Sequence, residues 1–277
     1  MSDSDRAPSA IARAKVQRTD SDSTTSDSVV VEEPLEIRLK HGASEEQLGI
    51  TMRTPGADLE LAAGFLWGEG FLTDSAQLLS VKVCGDRTLT PRQRANVVIA
   101  EVSDDTPPAP RSLDRRFTIS SACGVCGSSS MSDLHLRGIK KVSTPTRSIR
   151  EIATFSERLR DRQPIFESTG GLHAALLVDS TGVNRWVRED VGRHNAVDKV
   201  IGLALMNGAL PLVDWTLVVS GRVGYEIVQK AIVAGISALV GVSAPTSLAV
   251  DLAAEFNLTL LAFARNGVAK QFISIPE

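Results

Sequence analysis

The sequence predicts an α/β chain, α+β overall, with a small N-terminal sheet-plus-helix domain and a C-terminal α/β domain. Its 277 residues are about twice the ~150 of a common single domain, and a hydrophobic content of 43% is enough for a real core. In the first half, apolar residues recur at strand spacing around one helical segment. After residue 170, short apolar runs alternate with helical periods, which is typical of a parallel sheet.

Residues 1–28 predict a disordered tail. They mix Ser, Asp, Thr and Arg with almost no large apolar side chains, so they cannot bury enough surface to offset the entropy of ordering. They contain no apolar run resembling a signal peptide, and three cysteines do not suit a disulfide-stapled secreted scaffold. We therefore expect a reducing, cytoplasmic location.

Residues 29–118 predict the N-terminal α+β domain. Residues 59–67 place apolar side chains at helical spacing, just after the Pro55-Gly56 turn. The flanking apolar runs have the length and alternation of strands. The expected strands cover residues 29–31, 35–39, 48–52, 78–83 and 96–102.

Residues 119–146 predict a mobile loop and linker, because small side chains dominate the first part and have little to anchor them in a core. An amphipathic helix from Ser148 that ends by Pro164 opens the C-terminal domain, residues 147–277. The following order is β-β-α-β-α-β-α-β, which implies that the last three strands are parallel, with right-handed crossovers. The strands are expected at 172–178, 183–187, 216–220, 238–242 and 258–264, and the helices at 192–206, 224–235 and 246–256.

Two classes of partner are disfavoured by composition. Thirty basic and thirty-three acidic side chains give a net charge of −3, so no broad polycationic surface exists for a nucleic acid. The uncharged run 231–250 has the length of a membrane span, but Pro245 and its polar neighbours break it. We expect neither nucleic-acid nor membrane binding.

Cys123-Gly124-Val125-Cys126 admits four interpretations. A structural zinc site needs four ligands, usually two close pairs, and this chain has one pair. A thioredoxin-like dithiol needs a helix directly after the motif, which the glycines and serines disfavour. A disulfide or inert thiol fits poorly with a reducing compartment and an unpacked loop. Sulfur transfer remains, because a thiolate on a flexible tether can accept sulfur as a persulfide while a second thiol assists its release.

The loops that leave the three parallel strands predict a ligand site. The carboxyl edge of an open α/β sheet is where ligands bind, and helix N-termini there attract anions. Ser220, Arg222 and Arg265 follow these strands and suit a phosphate or nucleotide. The alternative is ordinary turn and cap chemistry.

Two histidines are further candidates. His173 interrupts an apolar strand, where a hydrogen-bonded core histidine competes with a site role. His194 lies in the first turn of its helix near the acids Glu189 and Asp190, where acid–base or anion chemistry competes with helix-end electrostatics. Cys84, in a strand pattern, is interpreted as a small buried apolar residue.

Taken together, these motifs resemble the formate dehydrogenase accessory sulfurtransferases, the FdhD family, over most of the chain. The residues that carry the resemblance are Glu33-Pro34-Leu35, Asp58-Leu59-Glu60, residues 64–70, Cys123 to Gly127, residues 169–175, residues 189–199, Ser220-Gly221-Arg222 and residues 225–230.

The resemblance implies a protein that takes persulfide sulfur from a cysteine desulfurase and passes it to a molybdenum or tungsten bis(guanine dinucleotide) pterin, needed by formate dehydrogenase. It implies Cys123 as the persulfide-bearing cysteine and Cys126 as its supporting partner. It also implies a homodimer, a C-terminal domain with the three-layer fold of cytidine deaminases, and a cofactor-binding segment comprising Phe263, Ala264, Arg265, Asn266, Gly267 and Val268.

One departure and two rival functions accompany this resemblance. Val268 stands where the family segment commonly ends in an Arg, which leaves Arg265 and Arg222 as the cationic candidates. A non-catalytic cofactor chaperone would need the same edge but would tolerate loss of both Cys123 and Cys126. A zinc-dependent nucleoside deaminase fits the fold but not the sequence, since no His-x-Glu precedes a Pro-Cys-x-x-Cys, and no structural metal is expected.

Overall fold

The computed structural model describes residues 9–106, 117–119, 134–135 and 137–273. The elements before residue 120 are β1 (Ile11–Gln17), β2 (Thr24–Val30), β3 (Glu33–His41), β4 (Ser44–Arg53), α1 (Asp58–Glu69), β5 (Leu78–Val83), α2 (Pro91–Ala95), β6 (Val97–Val102) and β7 (Phe117–Ile119). Those after it are α3 (Ile149–Ala153), α4 (Phe155–Arg160), α5 (Pro164–Thr169), β8 (His173–Val178), β9 (Asn184–Asp190), α6 (Arg193–Met206), β10 (Thr216–Val219), α7 (Tyr225–Val233), β11 (Ala238–Gly241), α8 (Ser247–Glu255), β12 (Thr259–Arg265) and β13 (Val268–Phe272). The predicted α+β class is confirmed.

The N-terminal sheet has five strands in the order β5-β6-β3-β4-β7. β3 and β4 form a hairpin, β6 runs parallel to β3, and β7 runs parallel to β4. Helix α1 ends at Gly70, whose φ of 82° lies in the left-handed region that favours glycine at this position. The predicted strands at 35–39, 48–52, 78–83 and 96–102 and the predicted helix are therefore confirmed.

The prediction that residues 1–28 are disordered is wrong for residues 11–28, which form most of a β-hairpin. β1 and β2 pair antiparallel from Ile11↔Val30 to Gln17↔Thr24. Most of their side chains are exposed, so the ladder of backbone hydrogen bonds holds this hairpin, and apolar burial contributes little. β2 also contacts α5, and Val30 lies close to Gly171. The scarcity of large apolar side chains, on which the prediction of disorder rested, does not reveal a hairpin of this kind.

The C-terminal sheet has six strands in the order β13-β12-β11-β10-β8-β9. β10, β11 and β12 are parallel as predicted, and β8 and β9 form the predicted antiparallel hairpin. Strand β13, antiparallel to β12, was not expected, because the sequence analysis predicts no strand after residue 264. Asn266 and Gly267, with φ of 52° and 71°, form the tight turn that joins the two strands.

Helices cover both faces of the C-terminal sheet. α6, α7 and α8 pack on one face, while α3 and α4 pack on the other. The predicted single helix from Ser148 is instead two short helices, α3 and α4. Pro164, expected to end that helix, begins the separate helix α5, because proline is tolerated in a first helical turn. In the described residues, no helix is long and apolar enough to cross a membrane.

One apolar core crosses the predicted domain boundary at residues 146/147. Helix α1 of the N-terminal half crosses α6 of the C-terminal half with backbones in contact. A Cβ on Gly64 would lie 1.9 Å from the carbonyl oxygen of Asp198, and one on Gly202 would lie 1.8 Å from that of Glu60. Because no side chain fits at either glycine, the two sheets share their interior through this crossing.

Candidate functional site

A cleft of about 1250 Å³ opens at the carboxyl ends of the three parallel strands. Ser220 after β10, Val242 after β11 and Arg265 at the end of β12 line it, whereas the predicted site residues Arg222 and His194 are not part of its lining. His173 joins them because β8 runs antiparallel to β10 and begins at this edge. Residues of α4, α5 and the linker between them form another wall, and Asp27 and Ser28 of β2 contribute to it.

Only part of the expected cofactor-binding segment, residues 263–268, lines the cleft. Ala264, Arg265 and Asn266 line it. Phe263, with φ of 54°, packs its ring against Phe272 at a centroid distance of 6.3 Å. Phe263, Gly267 and Val268 are absent from the lining formed by the described residues. A register shift between Ala262 and Arg265 accompanies this change of side.

Ser220 ties the end of β10 to the start of β8. Its hydroxyl accepts a hydrogen bond of 2.9 Å from the backbone N–H of Ala174. Its own N–H donates to the Ala174 carbonyl at 3.0 Å. The Ser220 side chain therefore fixes the geometry next to His173 and keeps its hydroxyl proton for another acceptor.

His173 is half-buried in a cationic environment. Burial lowers the pKa of its imidazole, and the nearby charges of Arg193, His194 and Arg222 lower it further. The imidazole is consequently neutral at pH 7 and offers one donor and one acceptor. A Cβ on Gly221 would lie 3.1 Å from His173 Nδ1 and 3.3 Å from Arg193 Cβ, so glycine allows these two side chains to approach.

His194 is buried with an acid that sequence reasoning missed. Its Nε2 lies 3.7 Å from Oε2 of Glu226 in the first turn of α7. Interaction with His194 lowers the pKa of Glu226 to about 2, while burial lowers that of His194. The expected acids are engaged elsewhere: Glu189 accepts from the N–H groups that begin α5, and Asp190 pairs with Lys199. No local sequence signal marks Glu226 as the partner, because its approach to His194 depends on how α7 packs against α6.

A buried polar network fixes the start of α6 to the N-terminal sheet. The carboxylate of Asp190 lies 2.6 Å from Lys199 Nζ, with side-chain exposures of 0% and 2%. It also accepts from the N–H groups of Gly192 and Thr54 at 2.8 and 3.2 Å and from Asn195 Nδ2 at 3.0 Å. Because Thr54 directly follows β4, this carboxylate connects the two sheets near the carboxyl edge of β10, β11 and β12.

A second buried network crosses the three central helices. Lys230 of α7 lies 2.8 Å from Asp198 of α6 and 3.1 Å from Glu69 of α1. Burial raises the pKa of Asp198 to about 6. Burial also opposes the charge on Lys230, but the two carboxylates outweigh it and raise the Lys230 pKa. This network holds α1, α6 and α7 together behind the edge.

The thiols are distributed as follows. Cys123 and Cys126 lie outside the described residues. Cys84 is buried against Val97 and Ile99, as its strand pattern indicated. Across the described ranges, no group of three His, Cys, Asp or Glu side chains could hold a metal ion.

Comparisons with known proteins agree on one family. The FdhD/NarQ family model matches residues 30–274. A protein named sulfur carrier protein FdhD from Streptomyces avermitilis is 46% identical over 246 residues, which cover 88% of this chain and 86% of that protein. The protein of the same name from Sulfurisphaera tokodaii is 41% identical over 249 residues, covering 90% of each chain.

A solved structure shares the fold. The crystal structure of a protein from Desulfotalea psychrophila, described as a formate dehydrogenase accessory protein, aligns with a TM-score of 0.67 and 23% identity over 96% of each chain. The family match begins at residue 30, so the β1–β2 hairpin precedes it almost entirely. From this coverage and identity we conclude that the chain belongs to the FdhD/NarQ family.

Proposed function

We propose that this protein is a sulfurtransferase that carries persulfide sulfur from a cysteine desulfurase to a molybdenum or tungsten bis(guanine dinucleotide) pterin required by formate dehydrogenase. Its relatives are named sulfur carriers, and its structural neighbour is described as a formate dehydrogenase accessory protein. The pterin dinucleotide is the bound substrate, and no structural metal takes part.

The first step is an exchange between thiols. The thiolate of Cys123 attacks the outer sulfur of the persulfide on the desulfurase cysteine. The S–S bond breaks, and the desulfurase cysteine leaves as a thiolate. One S–S bond replaces another, so no oxidant or reductant is needed.

Release uses the second thiol. The thiolate of Cys126 attacks the Cys123 sulfur and expels hydrosulfide, which leaves a Cys123–Cys126 disulfide. The two electrons come from Cys126, and a cellular dithiol later reduces the disulfide. The spacing of two intervening residues, Gly124 and Val125, suits this reaction because CxxC cysteines can bond to each other.

The observation that carries the proposal is the course of the chain towards the motif. β7 ends at Ile119, four residues before Cys123. Ile119 is aligned with Thr51 of β4, whose hydroxyl donates to Asn195 Oδ1 at 3.2 Å in the first turn of α6. Since four extended residues span at most about 14 Å, a thiol on this segment stays within that distance of the end of β7, which lies beside the start of α6.

The edge supplies the chemistry that a guanine dinucleotide needs. Arg265 and Arg222 are exposed guanidinium groups suited to diphosphate, and no carboxylate of the described chain pairs with either. We assign further polar contacts to Ser220, His173, His194 and Asn266, with Ala264 forming the apolar floor. Phe263, Gly267 and Val268 shape the β12–β13 hairpin that presents Arg265.

Intact mass spectrometry tests the sulfur step. The protein is incubated with a cysteine desulfurase and cysteine, with and without reductant. The expected result is a reductant-labile gain of about one sulfur mass (~32 Da) that is absent in Cys123→Ser and retained in Cys84→Ser, which controls for a buried thiol. A gain that persists in Cys123→Ser contradicts the assignment.

The rival function, a cofactor chaperone without sulfur chemistry, predicts a different outcome in cells. Cys123→Ser and Cys126→Ser would both leave formate dehydrogenase maturation intact under that hypothesis, whereas sulfur transfer requires that Cys123→Ser abolish it. Two predictions accompany the function. Light scattering should give twice the 29.6 kDa chain mass for a homodimer, and fractionation should place the protein in the cytoplasm.

A further inference from the structure

We propose that the β1–β2 hairpin is a lid on the cleft, which detaches from α5 to admit a ligand and packs back against α5 to enclose it. Asp27 and Ser28 of β2 line the cleft together with His173 and Arg265. The hairpin lies almost entirely before the segment that matches the family, which begins at residue 30. The inference therefore adds a role for a further segment of the chain, and only its ligand probe rests on the proposed function.

The hairpin is held together by its own backbone and is weakly joined to the rest of the protein. It forms a separate two-stranded sheet. Within the described part of the chain, its hydrogen bonds and ion pairs join residues of the segment 9–31 only to one another. A two-stranded hairpin without further support is marginally stable in water, and segments with few buried contacts open at low free energy. The hairpin therefore belongs to the least stable parts of this fold.

The surface on which the hairpin rests is itself exposed. α5 contacts β2, but none of the six residues of α5 is buried. Its Phe166 is 42% exposed. At the end of β2, Val30 packs beside Gly171, where an added Cβ would lie 3.1 Å from Val30 Cγ1. Because neither surface is deeply buried, their separation exposes little apolar area to water.

The connection between β2 and β3 provides a hinge. β2 ends at Val30 and β3 begins at Glu33, so only residues 31–32 join the hairpin to the N-terminal sheet. Glu33 is 6% exposed, and its carboxylate accepts from Asn96 Nδ2 at 3.0 Å and from Arg92. Rotation within residues 31–32 therefore moves the hairpin while β3 stays fixed.

The surface beneath the hairpin does not move with it. The carboxylate of Glu189 in β9 accepts from the N–H groups of Ile165 and Phe166 at 3.1 and 2.8 Å, which fixes the start of α5 to the C-terminal sheet. The cleft thus has fixed walls, formed by α5 and the sheet edge, and a movable wall formed by the hairpin. Opening widens the entrance, and closing excludes water from a bound ligand.

Hydrogen exchange of the full chain, followed by mass spectrometry, tests the opening without any ligand. Once detached from α5 the hairpin is marginally stable, so its amides exchange whenever the lid opens. Relative to their intrinsic rates, we expect the amides of β1 and β2 to exchange at least about 100-fold faster than those of the buried strands β10 and β11. Equally slow exchange in the hairpin means a fixed wall and overturns the inference.

A disulfide between the hairpin and its resting surface tests what the motion does. A Cβ on Gly171 would lie 3.7 Å from Val30 Cβ, within the range of about 3.5–4.5 Å found in disulfides. In Val30→Cys/Gly171→Cys, diamide should therefore form a bond that holds the lid closed, and a reductant should break it. The substitutions Cys123→Ser and Cys126→Ser are added so that these thiols do not react, and Cys84 is buried.

Stopped-flow fluorescence with N-methylanthraniloyl-GDP then compares the oxidised and reduced forms of this variant. We expect oxidation to slow both association and dissociation of the probe, each by about 10-fold or more, because the ligand enters and leaves only when the lid opens. Reduction should restore both rates. The reduced form of the same protein is the matched control, and Val30→Cys alone, treated with diamide, controls for the oxidant.

The outcomes separate the lid from the proposed function. Equal rates in the oxidised and reduced forms overturn the lid and leave the proposed function intact. Failure of the two introduced cysteines to cross-link, read from intact mass, contradicts the closed position of the hairpin and also overturns the lid. If the probe binds neither the variant nor the wild type, the proposed ligand is wrong, and exchange decides alone: fast hairpin exchange that the disulfide slows upholds the lid, and slow exchange overturns it. Circular dichroism verifies that each variant retains the fold.

Discussion

Replacing Lys199 by methionine removes the amine from the buried network at the start of α6 while keeping most of the side-chain volume. Lys199 Nζ contacts the Asp190 carboxylate at 2.6 Å and donates to the carbonyl oxygens of Thr54 and Glu189 at 3.0 and 3.3 Å. In Lys199→Met, a fully buried carboxylate loses its counter-charge. We expect a large loss of stability.

The magnitude follows from the contacts that remain. Breaking a buried ion pair by removing one partner costs about 3–5 kcal/mol. Asp190 keeps three hydrogen bonds, from the N–H groups of Gly192 and Thr54 and from Asn195 Nδ2, and these stabilise the remaining charge. We therefore place the loss in the free energy of unfolding for Lys199→Met near the lower limit, about 3 kcal/mol.

Urea denaturation followed by circular dichroism measures this loss, and a double-mutant cycle isolates the pair. In Lys199→Met/Asp190→Asn the charge is gone from both sides, so the double variant should lose less than the sum of the single variants, by about 1–3 kcal/mol. A Lys199→Met loss below about 1 kcal/mol, or strictly additive single variants, would refute the claim that this pair is buried and coupled.

Three further predictions concern packing and pH. Gly202→Ala should lose about 3 kcal/mol of unfolding free energy, because its Cβ would lie 1.8 Å from the Glu60 carbonyl oxygen; an unchanged melting temperature would contradict the helix crossing. Phe155→Ala should lose about 3–5 kcal/mol in urea denaturation, because the ring is fully buried, and a loss under 1 kcal/mol would contradict that burial. The pKa of Glu226 is lowered to about 2 by His194, so its carboxylate stabilises the fold above its ordinary pKa, and this contribution is lost as pH falls towards 2. Glu226→Gln should flatten the stability profile between about pH 4.5 and 2 in acid titrations, and a profile identical to that of the wild type would contradict the contact.

The sequence was most informative where short-range patterns carry the signal. The parallel strands β10, β11 and β12 follow from apolar runs, each separated from the next by a helix, and their order alone brings Ser220 and Arg265 to one edge. β13 was missed because Asn266-Gly267 was assigned to a ligand loop, although it is also a strong hairpin signal. The β1–β2 hairpin was missed because backbone pairing, which composition does not report, stabilises it.

Contacts between distant elements were beyond sequence reasoning. Nothing in the local pattern distinguishes Glu189 and Asp190 from Glu226 as the acid beside His194, because that choice depends on how α7 packs against α6. Likewise, Asp190 resembles a helix cap in the sequence, and only the structure reveals that it pairs with Lys199 and holds Thr54.

The sequence by itself determined the α+β class, the parallel direction of β10, β11 and β12 and the presence of the pair Cys123 and Cys126, because each depends on residues close together in the chain. The tertiary structure alone decided the shared core, in which Gly64 and Gly202 let α1 and α6 meet backbone to backbone. It also decided which charged side chains at the carboxyl edge of the C-terminal sheet form ion pairs, and which guanidinium groups there have no carboxylate partner among the described residues. Burial and electrostatic pairing are properties of groups far apart in the chain, and only the folded arrangement brings them within reach of each other.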